Sequence, residues 1–166
     1  MANLEFDEKN GIIRDKLTGE RCIIVYQKGL ENVFKGLSQI FKAGIEVILL
    51  EASREAGRHI VTGKEGKVSK DSMSAYVNRF ARNGLGKIEI SEFKPEEASM
   101  TFRVWNNIFA GMRHGKSTYC SYIEGLLSGW YEGLLHASPT VKETKCSGHG
   151  DPYCEFRLTL KTTSKL

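Results

Sequence analysis

From Leu30 onward, Leu30, Val33, Phe34, Leu37, Ile40 and Phe41 recur at intervals of three and four, which predicts a helix with one buried stripe ending near Gly44. A second helix is expected from Ile45 to about Val61. A polar stretch with Gly63 and Gly66 follows, and Ser69 and Ser72 then open a third helix through Met73, Tyr76, Val77 and Phe80 to Asn83-Gly84. Upstream, Gly11 to Arg14 and Arg21 to Tyr26 are β-rich runs around a turn at 16–19, so a short hairpin should open the chain. Downstream the period changes to two. Ile88 and Ile90, then Met100, Phe102 and Val104, alternate with polar neighbours as two strands around Lys94-Pro95-Glu96-Glu97. Tyr119 to His136 reads as a fourth helix. Thr140 to Lys145 and Cys154 to Leu160 close the chain as strands, the last alternating Cys154, Phe156, Leu158 and Leu160 with Glu155, Arg157 and Thr159. The order β-β-α-α-α-β-β-α-β-β implies one α+β domain, residues 1–166, with an antiparallel sheet.

On the fourth helix, Tyr119, Ile123, Leu126, Leu127, Trp130 and Leu134 share one sector. Beside it Gly125, Gly129 and Gly133 repeat every four residues, although each helical Gly costs about 1 kcal/mol relative to Ala. A row without Cβ atoms admits either a second helix at close range or a flat ligand.

The chain has 166 residues, 40% hydrophobic and 27% charged, with 17 Gly and 3 Pro, which excludes fibrous and disordered classes. Its net charge of +4 is spread along the length, so direct nucleic-acid binding is not expected. The apolar run Val47 to Leu50 is far too short to cross a membrane, which needs about 20 apolar residues. The acidic opening is unlike a secretory signal, and a cytoplasmic location is expected.

In a reducing compartment the four Cys (22, 120, 146 and 154) suggest metal ligands or buried thiols rather than disulfides. Cys146 and Cys154 flank a Gly/Pro/Asp turn between two strands, and a hairpin would bring both thiols to one point. Cys120 at the start of the fourth helix could join them, and Glu143 or His149 could complete a set suited to Zn²⁺. Glu143 is favoured, because it shares a strand face with Val141 and a buried carboxylate is costly unless paired. Three buried small-hydrophobe cysteines would satisfy the same spacing. Cys22, within Cys-Ile-Ile-Val, reads as core.

Gly115-Lys116-Ser117 imitates the end of a phosphate-binding loop, but Ala110 stands where its first glycine belongs, so nucleotide binding is not expected. Lys64, Lys67 and Lys70 read as a solvated loop. Phe102, Trp105, Tyr119 and Trp130 are candidates for an aromatic pocket wall, although Phe102 and Trp105 cannot both face inward on a regular strand. His114 and His136 have no placed partner, and nothing forms a defensible catalytic set.

Cys120 followed by Gly125 and Gly129, then Glu143-x-x-Cys146, Gly150-Asp151 and Cys154-x-Phe156, resembles the C-terminal signature of the 4-vinyl reductase domain family, over roughly 99–160. The family comprises small-molecule-binding modules, including sensor domains of bacterial regulators that respond to aromatic hydrocarbons. The resemblance implies helices on a four-stranded antiparallel sheet, a fold shared with TRAPP trafficking subunits, and homodimers. It also implies a structural zinc on Cys120, Glu143, Cys146 and Cys154, a cavity for a small apolar or aromatic ligand, and a second helix facing that cavity, where His59 could donate a hydrogen bond to a ligand hydroxyl. The ATPase and DNA-binding modules that the regulators append are not expected within 166 residues. Alternative readings are a tetrapyrrole vinyl-reductase-type enzyme, for which no dinucleotide-binding loop is present, a scaffold module, or a thiol redox switch. An enzymatic role is the less favoured.

Overall fold

The computed structural model describes residues 4–16, 19–61, 74, 77–78, 80–94, 97, 99–114, 116–135 and 137–160. Met73, Tyr76, His136 and the lysines at 64, 67 and 70 lie outside the described residues. Chain contacts divide it into two units, Met1–Phe34 and Lys35–Leu166.

The first unit holds an antiparallel sheet of three strands in the order β1-β2-β3, Leu4–Asp7, Ile12–Asp15 and Arg21–Cys22. The acidic opening therefore supplies a strand that the pattern did not reveal. Asn10 makes the turn, donating its backbone and side-chain N–H groups to the Asp7 carboxylate, and Gly11 adopts φ 63°, a conformation that glycine tolerates without cost. Ile23 to Tyr26 are not strand but exposed chain, at 53–83% of full exposure. Cys22 is half-buried and donates to the Glu20 carbonyl, so it is not core as expected: it ends a two-residue edge strand with little above it.

Helix α1 (Gln27–Phe41) starts earlier than its apolar stripe predicts and ends where Lys42 turns left-handed at φ 50°. Its stripe is only partly covered: Phe34 is buried, whereas Val33, Ile40 and Phe41 are 47–72% exposed. Helix α2 (Ile45–Val61) matches its predicted span. Residues 80–82 are helical, as are the described residues at 74 and 77–78, consistent with the third predicted helix.

The main sheet has four antiparallel strands in the order β4-β5-β9-β8: Lys87–Lys94, Ser99–Trp105, Cys154–Leu160 and Pro139–Lys145. Period-two alternation decides its faces. Met100, Phe102, Val104, Cys154, Phe156 and Leu158 point inward and are all 0% exposed. Burying each large side chain of that set is worth about 1.5–3 kcal/mol. Across this face lies helix α4 (Ser121–Leu135), after a one-turn helix α3 (Ile108–Gly111) and a hairpin of two short strands, β6 (Arg113–His114) and β7 (Ser117–Thr118). Lys116 and Ser117 thus belong to a hairpin rather than to a phosphate loop opening a helix.

The glycine row proves to be a helix contact. A Cβ at Gly125 would stand 2.0 Å from the Leu50 carbonyl oxygen and one at Gly129 1.9 Å from that of Arg54. From the other side, a Cβ at Gly57 would come within 2.3 Å of the Leu126 oxygen. Backbones of α2 and α4 touch along this row, which leaves no room there for a flat ligand. Glu132 on α4 fastens the pair, accepting from Arg58 Nε at 2.7 Å and lying 3.7 Å from Arg54 Nε.

Candidate metal centre

Four elements meet at the end of the sheet beneath the start of α4. Cys120 directly precedes α4, and its carbonyl accepts the first helical N–H groups, from Ile123 at 2.8 Å and Glu124 at 3.2 Å. Glu143 lies on the inner face of β8, two residues beyond buried Val141, as its strand parity predicts. Cys146 ends that strand. Its N–H donates to Asp151 Oδ2 at 2.8 Å and its carbonyl accepts from His149 and Asp151, which closes a tight turn helped by Gly150 at φ 107°. Cys154, fully buried, begins β9 opposite Val104.

The three sulfur atoms and a Glu143 carboxylate oxygen all lie within 4.8 Å of one another, and Cys120 Sγ is 3.7 Å from Cys146 Sγ. His149, the alternative fourth ligand, instead reaches the Lys116 carbonyl at 3.0 Å and is exposed. Oε1 of Glu143 is buried without a hydrogen-bond partner among the described residues. Leaving such an atom unsatisfied costs about 1–3 kcal/mol or more for a charged group, a cost that coordination to a cation removes. Soft thiolates with one carboxylate suit a four-coordinate divalent ion, so the residues present fit a metal.

The electrostatics point the same way. Burial pushes the Glu143 carboxyl up to about 7, and Cys154 is drawn down to about 5 by hydrogen bonds, first from Cys120 and then from Ser147 and Asn107. Cys120 is driven up because it donates to Cys154 and is buried, and burial also raises Cys146. Four acidic groups this close cannot all ionise without a counter-charge, so protons stand where a cation would otherwise stand.

A surrounding shell completes the site, and the sequence pattern did not reveal it. Asn107 Nδ2 donates to Cys120 Sγ at 3.5 Å and to Cys154 Sγ at 3.4 Å, while its Oδ1 caps α3 by accepting from Phe109 N at 3.1 Å. Ser147 N–H reaches Cys154 Sγ at 3.4 Å, and Thr118 Oγ1 lies 3.6 Å from Cys146 Sγ. Asn107 before the apolar run Ile108 to Ala110 is an N-cap signal that could have flagged its position, though not its two sulfurs. Glu124 on α4 fixes the height of β8 by accepting from Glu143 N at 2.6 Å.

The aromatic candidates separate. Phe102, Tyr119 and Trp130 are buried between sheet and helices, with Trp130 edge-on to Phe80 at 6.2 Å. Tyr119 OH meets Ser38 Oγ at 2.7 Å, a hydroxyl pair inside an apolar surround. Trp105 lies on the opposite face of β5, as alternation requires, with its ring 5.5 Å from that of Tyr153. His59 is exposed on α2.

With fold and site in place, the relationships become specific. The architecture is that of an α+β ligand-module fold, four antiparallel strands under helices. Residues 101–160 match the 4-vinyl reductase domain family, and that stretch is a domain of this family. An uncharacterized protein of Methanocaldococcus jannaschii is 25% identical over 119 residues, 71% of this chain and 66% of the relative, so this chain spans less than two thirds of that protein's length. Among solved structures, the phenol-responsive sensory domain of the transcription activator PoxR, solved with phenol, superimposes with a TM-score of 0.76 at 14% identity, covering 95% of this chain and 85% of that one. A vinyl-4-reductase family protein from M. jannaschii gives 0.62 at 17% identity, with 84% of each chain covered. A trafficking protein particle complex subunit 3 from Naegleria fowleri, covalently bound to palmitic acid, gives 0.60 at 17%, covering 81% of this chain and 95% of that one. At these identities the likenesses show a shared fold.

Proposed function

We propose that this chain is a small-molecule-binding or sensing domain whose Cys120, Glu143, Cys146 and Cys154 hold a structural zinc. The observation that carries the reading is the convergence of the four donors within 4.8 Å beside an orphaned carboxylate oxygen. Zn–S bonds of about 2.3 Å at tetrahedral angles separate sulfurs by about 3.8 Å, against 3.7 Å between Cys120 and Cys146. When bound, zinc supplies a cross-link and, with four protein ligands, no open position for an activated water. Asn107 and Ser147 orient the sulfurs and disperse their charge. The centre then ties the start of α4 to β8 and β9, one wall of the layer that encloses Phe102, Tyr119 and Trp130.

That layer is where we place a small apolar or aromatic ligand, with the Tyr119 and Ser38 hydroxyls available to a polar ligand group. The PoxR sensory domain was solved with phenol on the same fold, which supports the ligand class. His59 would serve only if a ligand reached the exposed side of α2. A second copy of the chain is the proposed partner for Ile40, Phe41, Val47 and Ile48, which are 37–72% exposed. No helix among the described residues is long and apolar enough to cross a membrane, and we place the protein in the cytoplasm.

Elemental mass spectrometry of untagged protein should find about one zinc per chain, and none in Cys146→Ala. Protein purified without metal stripping that carries no zinc would defeat the metal reading. Phenol and toluene, titrated while the melting temperature is followed, test the ligand class separately.

A further inference from the structure

The outward face of the main sheet has no part in the metal site or the apolar layer, and its charge is uneven. Along its four strands the outward positions hold six Lys or Arg and three Glu, an excess of three in a chain whose whole net charge is +4. Lys142 and Arg157 stand directly opposite each other on β8 and β9, and both are exposed. Like charges in direct cross-strand pairs destabilise a sheet, and neither has a carboxylate at ion-pair distance among the described residues. One register step along, Glu155 already occupies Arg103 at 3.0 Å and Lys145 at 3.9 Å. Between these rows lies an open pocket of about 340 Å³, lined in part by Thr101, Arg103, Lys145 and Arg157. Tyr153 borders it, with Arg103 4.9 Å and Lys145 5.1 Å from its ring, and Trp105 continues the aromatic edge.

We propose that this face is a docking surface for an acidic segment of a partner protein, its carboxylates seated on Lys142 and Arg157 and an apolar side chain against Tyr153 and Trp105. Charge complementarity selects the occupant. An incoming carboxylate removes the repulsion between Lys142 and Arg157, a gain that no residue of the described sheet supplies. A nucleic-acid backbone fits less well, because evenly spaced phosphates would also meet the three interleaved glutamates, whereas a peptide can space its acids to match the cations.

Trp105 makes the proposal measurable. It is one of two tryptophans, and the other, Trp130, is 1% exposed, so an emission change on peptide addition reports this face. Full-length protein is titrated at low salt with a synthetic ten-residue peptide of Glu and Leu. The expected result is a saturable Trp105 shift, weakened about tenfold when salt rises from about 20 to 300 mM, which shortens the screening length several-fold. Lys142→Glu/Arg157→Glu should weaken it at least about tenfold while zinc content and melting temperature stay unchanged. No saturable shift, equal binding by the double variant, or tighter binding of a single-stranded oligonucleotide of matched charge would overturn the proposal. Because the variant positions are exposed on the outer face, failure here leaves the zinc and ligand readings untouched.

Discussion

Replacing Gly129 with Ala tests whether the glycine row is a contact between helices. In an isolated helix the change would stabilise by about 1 kcal/mol, because Ala has the higher propensity. Here the added Cβ would stand 1.9 Å from the Arg54 oxygen and 2.9 Å from the Arg58 nitrogen, both backbone atoms that no rotamer change can move. Restoring an ordinary separation of about 3.3 Å requires α2 to retreat by more than an ångström over this turn. Overpacking of this kind costs typically 1–3 kcal/mol and occasionally more. The retreat also loosens Arg58 from Glu132, at 2.7 Å, which adds to the loss. A net destabilisation of about 3 kcal/mol follows, or roughly 6–12 °C in melting temperature for a chain of this length. Gly36→Ala is the matched control, since a Cβ there meets nothing within 4 Å, and it should stabilise by about 0.5–1 kcal/mol. Urea denaturation of both variants and the wild type, with zinc held saturating, provides the comparison. If Gly129→Ala were as stable as the wild type or more so, the helices could not be in contact there, and a groove open to ligand would have to be restored.

Three further outcomes are expected. Chelation of the metal should lower the melting temperature by on the order of 10 °C, reversed by stoichiometric Zn²⁺, and a scan unchanged by chelator and zinc would contradict a structural centre. Asn107→Ala removes the hydrogen bonds to two sulfurs, so zinc should still bind but about 10- to 100-fold more weakly, as competition with a chromogenic chelator would measure; unchanged affinity would leave Asn107 only its helix cap. Burial holds the Glu124 carboxyl above its usual value of 4.5, despite the Glu143 N–H that favours its charged form. A raised carboxylate destabilises the fold as it ionises, so the wild type loses this contribution as pH climbs from about 4.5 through the raised value. Glu124→Gln keeps an oxygen for the Glu143 N–H and cannot ionise. Its stability relative to the wild type should therefore grow with pH across that window, and parallel pH profiles of urea midpoints would refute the assignment.

Much of this protein is legible along the chain, because period and parity are local properties. The alternation of Cys154, Phe156 and Leu158 fixes which face of β9 is core whatever packs upon it, and the same parity turned Glu143 inward with Val141. Hairpin closure between Cys146 and Cys154 follows from turn residues alone, so the donors of the metal centre could be named before their distances were known. What only the tertiary structure decided depends on approach between segments distant in sequence. The glycines at 125 and 129 are equally compatible with a ligand or a helix until α2 is placed 2 Å from their missing Cβ atoms. Asn107 is an ordinary helix cap until Cys120 and Cys154 arrive from two other elements. Trp105 and Phe102 are two aromatics on one strand until the sheet gains an inside, which sends one to the core and the other to the face with Tyr153. Local periodicity is set by backbone geometry, whereas helix crossings, shared ligands and the identity of the covered face are set by the packing of whole elements, which no single stretch of sequence contains.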